Sequence, residues 1–118
     1  MILVDTSVWI DHFRAEDPML ASLLHDGQVL MHPFVIGELA CGNFRDRKGK
    51  LVLLHNLPQA TVASDKEVLQ FIETATLPGR GIGYIDAHLL AAARLSAARL
   101  WTRDKRLAAV ALELDLSS

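Results

Sequence analysis

A chain of 118 residues, 51% hydrophobic and 22% charged, has the balance of one globular domain and too few residues for a second core. No apolar run approaches the ~20 residues of a membrane-crossing helix, and the start, Met1-Ile2-Leu3-Val4-Asp5, has neither the basic residues nor the apolar length of a signal peptide. A net charge of −2 argues against a simple basic-patch nucleic-acid binder, and a lone Cys41 rules out an internal disulfide, so a cytoplasmic protein is expected.

Ile2-Leu3-Val4 is a short apolar run stopped by Asp5, which suits a buried strand. Thr6-Ser7 then offers N-cap chemistry, with Thr6 the expected cap, and Val8, Trp9, Ile10 and Phe13 carry a helix. Leu20, Leu23 and Leu24 mark a second helix ending near Asp26-Gly27. Val29-Leu30-Met31 is a second strand, cut off by His32-Pro33. A helix follows from Phe34 through Leu39 toward Cys41-Gly42. After a basic turn, Leu51–His55 returns to helix. Thr61-Val62 suggests a minimal strand, and Ser64 with Glu67 forms a capping box that opens the next helix. The loop Pro78–Gly83, where flexibility is the expected role of Gly79, Gly81 and Gly83, leads into an alanine-rich helix from about Tyr84 to Ala97. Leu100-Trp101-Thr102 is a strand, Asp104 to about Leu112 a helix, and Leu114–Leu116 a last short strand. Strands alternating with helices predict an α/β fold: a parallel sheet covered by helices in three layers, α/β/α, over residues 1–118.

In such sheets ligands bind beyond the carboxyl ends of the strands. Asp5 follows the first strand and Asp104 lies two residues after Thr102. Asp86 sits in the first turn of its helix, and Glu38 in the first turns of the helix after strand two. Any one of them alone could serve only a helix dipole, worth ~0.3–1 kcal/mol. Together they are costly, because two carboxylates about 6 Å apart at an effective dielectric of ~20 repel by roughly 3 kcal/mol. Several such pairs reach the order of the ~5–15 kcal/mol stability of a domain. A Mg²⁺ or Mn²⁺ ion relieves this and prefers carboxylate oxygen. Zinc is disfavoured, since no His pair or Cys cluster has ligand spacing. Thr102 and Ser7 are candidates to orient an acid through their hydroxyls. Asp11 should point away from Asp5, toward the surface. Arg45, Arg47 and Lys48, with Arg103 and Lys105, are candidate phosphate contacts around the acidic pocket, the alternative being a solvated helix face.

The segments Val4–Asp11, Gly37–Gly42, Tyr84–Ala93 and Leu100–Asp104 occur in an order and spacing that resembles the PIN-domain nucleases, and specifically VapC-like toxins of toxin–antitoxin pairs. The resemblance extends from residue 1 to about 113. It implies a PIN-like fold and metal-dependent endoribonuclease activity, with Asp5, Glu38, Asp86 and Asp104 at the acidic positions. It also implies homodimerisation and a hetero-oligomer with a small VapB-like antitoxin. Some relatives carry a further acid where this chain has Arg106, so at least one ion is expected rather than a full two-metal arrangement.

Other residues have plainer readings. His88 is two positions from Asp86, roughly across the helix, and is expected to be structural. His32 is expected to hydrogen-bond. The glycines at 79, 81 and 83 are followed by no Gly-Lys-Ser/Thr, so they form no P-loop. Trp9 and Trp101 are expected in the core or at a dimer contact, and Cys41 as a small buried hydrophobe. Two other functions compete. A phosphohydrolase with Asp5 as nucleophile wants an acid two residues on, where Ser7 stands. A non-catalytic RNA- or protein-binding module gains nothing from concentrated negative charge facing phosphate.

Overall fold

The computed structural model describes residues 1–118. In chain order the elements are β1 (Ile2–Val4), α1 (Thr6–Arg14), α2 (Pro18–His25), β2 (Val29–Leu30), α3 (Pro33–Ala40), α4 (Arg47–His55), α5 (Asp65–Thr74), α6 (Tyr84–Leu95), β3 (Arg99–Trp101) and α7 (Lys105–Glu113). The three strands form one parallel sheet in the order β2-β1-β3, with Leu3 opposite Leu30 on one side and Leu100 on the other. Leu3 and Val4 point to opposite faces of the sheet, yet both are fully buried. Helices therefore cover both faces, as the apolar runs predict.

Local chemistry explains where the helices start. The Asp17 carboxylate accepts from the N–H groups of Met19 and Leu20 to open α2, with Pro18 at its first position. Ser64 and Glu67 form the expected reciprocal capping box of α5. In α6 every residue from Ala87 to Ala93 is buried, so this helix runs through the core rather than over it. Its small alanines let it lie against β1 and β3, while α5 packs on its other side. All ten elements contribute to one apolar cluster. No helix is long and apolar enough to cross a membrane.

Four expectations change. Thr61-Val62 forms no strand; the edge beyond β2 is closed instead by a single parallel bridge between Met31 and Gln59. Leu114–Leu116 forms no strand either, and Ser117 makes a lone bridge to Leu100. Helix α4 begins at Arg47, because Asp46 takes a left-handed φ of 52° and turns the chain straight into the helix. Gly81 is more than a flexible residue. Its φ is +79°, and a Cβ there would lie 2.8 Å from the Arg106 side chain, so only glycine lets Arg106 pack across the loop before α6.

Because the strands are parallel, their carboxyl ends share one edge. The residues that leave that edge are Asp5 after β1, Met31-His32 after β2 and Thr102 after β3.

Candidate metal centre

Asp5 is buried, 7% exposed, and its N–H donates to the Trp101 carbonyl at 2.8 Å, locking the end of β1 to β3. Its Oδ2 accepts from Ser7 Oγ and from Thr102 Oγ1, both at 2.7 Å. Each hydroxyl in turn accepts a backbone N–H: Ser7 from Arg103 at 3.0 Å and Thr102 from Asp104 at 3.1 Å. Each has one proton, and Asp5 receives both. The two hydroxyls thus fix the Asp5 carboxylate through Oδ2, while its Oδ1 takes no protein hydrogen bond.

Asp104 is the N-cap of α7. Its Oδ1 accepts from the N–H groups of Arg106 at 2.9 Å and Leu107 at 3.1 Å, which leaves Oδ2 without a protein partner. Half-buried Asp86, in the first turn of α6, accepts the Gly83 N–H on Oδ2 at 3.0 Å. Burial pushes its carboxyl above the usual range. The Gly83 bond pulls the other way, and the charges of Asp5 and Asp104 push it up further. Two acids remote in sequence therefore act electrostatically on Asp86. Glu38 stands differently. It is exposed on α3 and accepts from Thr6 Oγ1 at 2.8 Å, which ties it to the residue after Asp5.

No three acidic, histidine or cysteine side chains are close enough to grip an ion as they stand. Coulombic coupling reaches further than a coordination bond, so the two findings are compatible. Asp104 and Glu38 are each held through one oxygen, by the N–H groups at the start of α7 and by Thr6. The donor set nonetheless fits a hard divalent cation: it is all carboxylate, each of the four acids keeps one oxygen without a protein partner, and the repulsion at Asp86 is one that positive charge reverses.

Residues 2–113 match the PIN domain. The chain belongs to the PIN-domain family. Ribonuclease VapC32 from two strains of Mycobacterium tuberculosis is 52% identical over 114 residues, covering 96% of this chain and 92% of the relative. The crystal structure of PAE2754 from Pyrobaculum aerophilum superposes with a TM-score of 0.60 at 19% identity, covering 92% of this chain and 78% of that one, a likeness of fold.

In this PIN domain several other residues do not sit where the sequence alone suggested. Thr6 caps nothing; Asp5 holds the N-cap position of α1, and the Thr6 hydroxyl goes to Glu38. Glu38, expected in the first turns of its helix, lies in the last turn of α3 and is exposed, because α3 turns only Val35, Ile36 and Leu39 inward. Arg103 is not free for phosphate, since its guanidinium is shared between Asp11 and Asp17. Asp11 keeps its side chain 47% exposed, at the surface as expected, but is paired there with Arg103. Arg47 is also committed, donating to the Ala40 and Gly42 carbonyls at the end of α3. Arg45, Lys48 and Lys105 remain exposed. Cys41 is exposed at the end of α3.

His32 and His88 are both buried in an aromatic cluster with Phe34 and Tyr84, whose rings lie 4.7 and 4.6 Å from that of His88. The His88 Nε2 lies 3.4 Å from an Asp65 oxygen, within ion-pair range, but neither ring nitrogen makes a well-directed hydrogen bond. Size does not pick out the site either. A cleft of about 550 Å³ between α5 and α6 holds none of the four acids, whereas one of about 370 Å³ is bounded by Glu38.

Proposed function

We propose that residues 1–118 form a single nuclease domain, the endoribonuclease toxin of a toxin–antitoxin pair, which hydrolyses RNA phosphodiester bonds with Mg²⁺ or Mn²⁺ held by Asp5, Glu38, Asp86 and Asp104. One observation carries this reading: at the carboxyl edge of the sheet, the charges of Asp5 and Asp104 act on the half-buried Asp86 carboxyl. The 52% identity to a ribonuclease over nearly the whole chain supports RNA as the substrate. The same relationship supports a VapB-like antitoxin as partner, in a hetero-oligomer built on a homodimer in the cytoplasm.

When bound, the cation supplies positive charge against the phosphate oxygens and acidifies water for in-line attack. The chain's own contribution is positional. Ser7 and Thr102 both donate to Asp5 Oδ2, which fixes that carboxylate and leaves Oδ1 free. The N–H groups at the start of α7 fix Asp104 through Oδ1 and present its other oxygen. Gly83 fixes Asp86 in the same manner. Thr6 ties Glu38 to the residue that follows Asp5. Ser7, at the position where an aspartyl-nucleophile phosphohydrolase wants a proton-transferring acid, is committed to orienting Asp5, which speaks against that alternative.

The test is cleavage of a structured RNA by purified chain freed of any partner. Cleavage is expected with Mg²⁺ or Mn²⁺ and not in chelator, and Asp5→Asn should abolish it while leaving the thermal unfolding cooperative. An Asp5→Asn protein as active as the parent overturns the reading.

A further inference from the structure

Beside Glu38 a cleft of about 370 Å³ runs between α1 and the turn that joins α3 to α4. Ile10, Phe13 and Leu39 line it with apolar surface, and Arg14 and Arg45 bring two guanidinium groups. Phe44, in the same turn, stacks on Phe13 with ring centres 4.6 Å apart, and the Lys50 ammonium lies 5.2 Å from the Phe13 ring. Glu38 is the sole acid in the lining.

The two arginines differ from most others in the chain. Arg47, Arg80, Arg94, Arg99 and Arg103 each donate to a carboxylate or a backbone carbonyl. Arg14 and Arg45 are exposed, and neither forms an ion pair or a hydrogen bond. Arg14 lies in the last turn of α1, where a cation complements the helix dipole by ~0.3–1 kcal/mol. That accounts for a charge there, but Arg45, outside any helix, has no such reason. A guanidinium is a planar fork suited to phosphate oxygens. Two of them, unclaimed, line a cleft whose wall includes one of the four acids.

We propose that this cleft holds the backbone of single-stranded RNA flanking the bond that is cut, with Arg14 and Arg45 on its phosphates. The proposal rests on reading the acids as the RNA-cleaving centre. It replaces Arg47 and Arg103, which are bound within the protein, by Arg14 beside Arg45. The stacked Phe13–Phe44 pair gives the cleft an apolar flank against which a sugar or base can lie.

The experiment measures binding of a fluorescein-labelled single-stranded oligouridylate by anisotropy over a range of KCl, in the Asp5→Asn background so that nothing is cut. For single strands each lost phosphate contact flattens the slope of log K against log salt by about 0.7. Arg14→Gln and Arg45→Gln should each do so, and the double variant should flatten it by about 1.4 with at least tenfold weaker binding at low salt. Arg99→Gln removes the same charge from the opposite edge of the sheet, at the start of β3, and should leave the slope unchanged. A double variant with the parental slope overturns the proposal, and so does an Arg99→Gln variant that loses as much. A double variant that binds RNA normally but no longer binds its antitoxin assigns the cleft to the protein partner and likewise overturns it. The two readings fail separately: a parent chain that cuts no RNA with metal sinks the nuclease reading, while an unchanged slope in a chain that does cut sinks only the cleft.

Discussion

His32 makes a prediction that needs no ligand. It is fully buried, and its Nδ1 accepts the Phe34 N–H at 3.0 Å, capping α3 and leaving the ring's proton on Nε2. Desolvation, and then the facing His88, lower its pKa from 6.5 to about 4. The unfolded chain thus binds a proton at His32 below about pH 6.5, while the folded chain binds none until about pH 4. Stability from this residue is complete above the first value and is lost as pH falls through the window between them. At about 1.4 kcal/mol per pH unit the whole window is worth roughly 3 kcal/mol, of which about 2 kcal/mol falls between about pH 7 and about pH 5. The assay is urea unfolding of the parent and of His32→Asn, whose amide oxygen can still accept from Phe34, at those two pH values. The parent should lose about 2 kcal/mol more than the variant across the interval. Equal losses in the two proteins would refute the reasoning, since every other titrating group is common to both.

Asp104 has two duties that substitution can separate. Asn caps a helix about as well as Asp, so Asp104→Asn should keep the parental stability within about 0.5 kcal/mol and lose most RNA cleavage, whereas Asp104→Ala should also lose about 1 kcal/mol of stability in urea unfolding. Ser7 and Thr102 act through Asp5. Ser7→Ala and Thr102→Val should each weaken Mn²⁺ binding, read by calorimetry, by about 10–100-fold, and Thr102→Ser, which keeps the hydroxyl, should restore it.

The sheet and most helix starts were legible because they depend on neighbours in sequence. Ile2–Val4 is apolar and β-branched and ends at an acid, and Ser64 with Glu67 is a cap written in four residues. What escaped depends on distant partners. Ser7 and Thr102 were legible as candidates to orient an acid, but that both turn to Asp5 depends on the N–H groups of Arg103 and Asp104, which donate to the two hydroxyls. Arg103 looked free because nothing local shows that α1 and the start of α2 bring Asp11 and Asp17 to it. Thr6 looked like a cap for the same reason, its partner Glu38 being 32 residues away. The basic stretch after Phe44 read as a turn because Gly49 interrupts it, and nothing local shows that Asp46 takes the left-handed φ that starts α4. Asp5, Asp86 and Asp104 were legible as positions that follow a strand end or open a helix, whereas Glu38 falls in the last turn of α3. The partners that hold them were not legible, because Thr6 lies 32 residues from Glu38 and the bonds to Asp86 and Asp104 come from backbone N–H groups.

The most direct measurement is the anomalous difference density of a crystal of the purified chain soaked in Mn²⁺. The account predicts a peak bounded by carboxylate oxygens of Asp5, Asp86 and Asp104, with Glu38 drawn toward it from Thr6. Manganese bound only elsewhere on the protein, with those acids still apart, would contradict it.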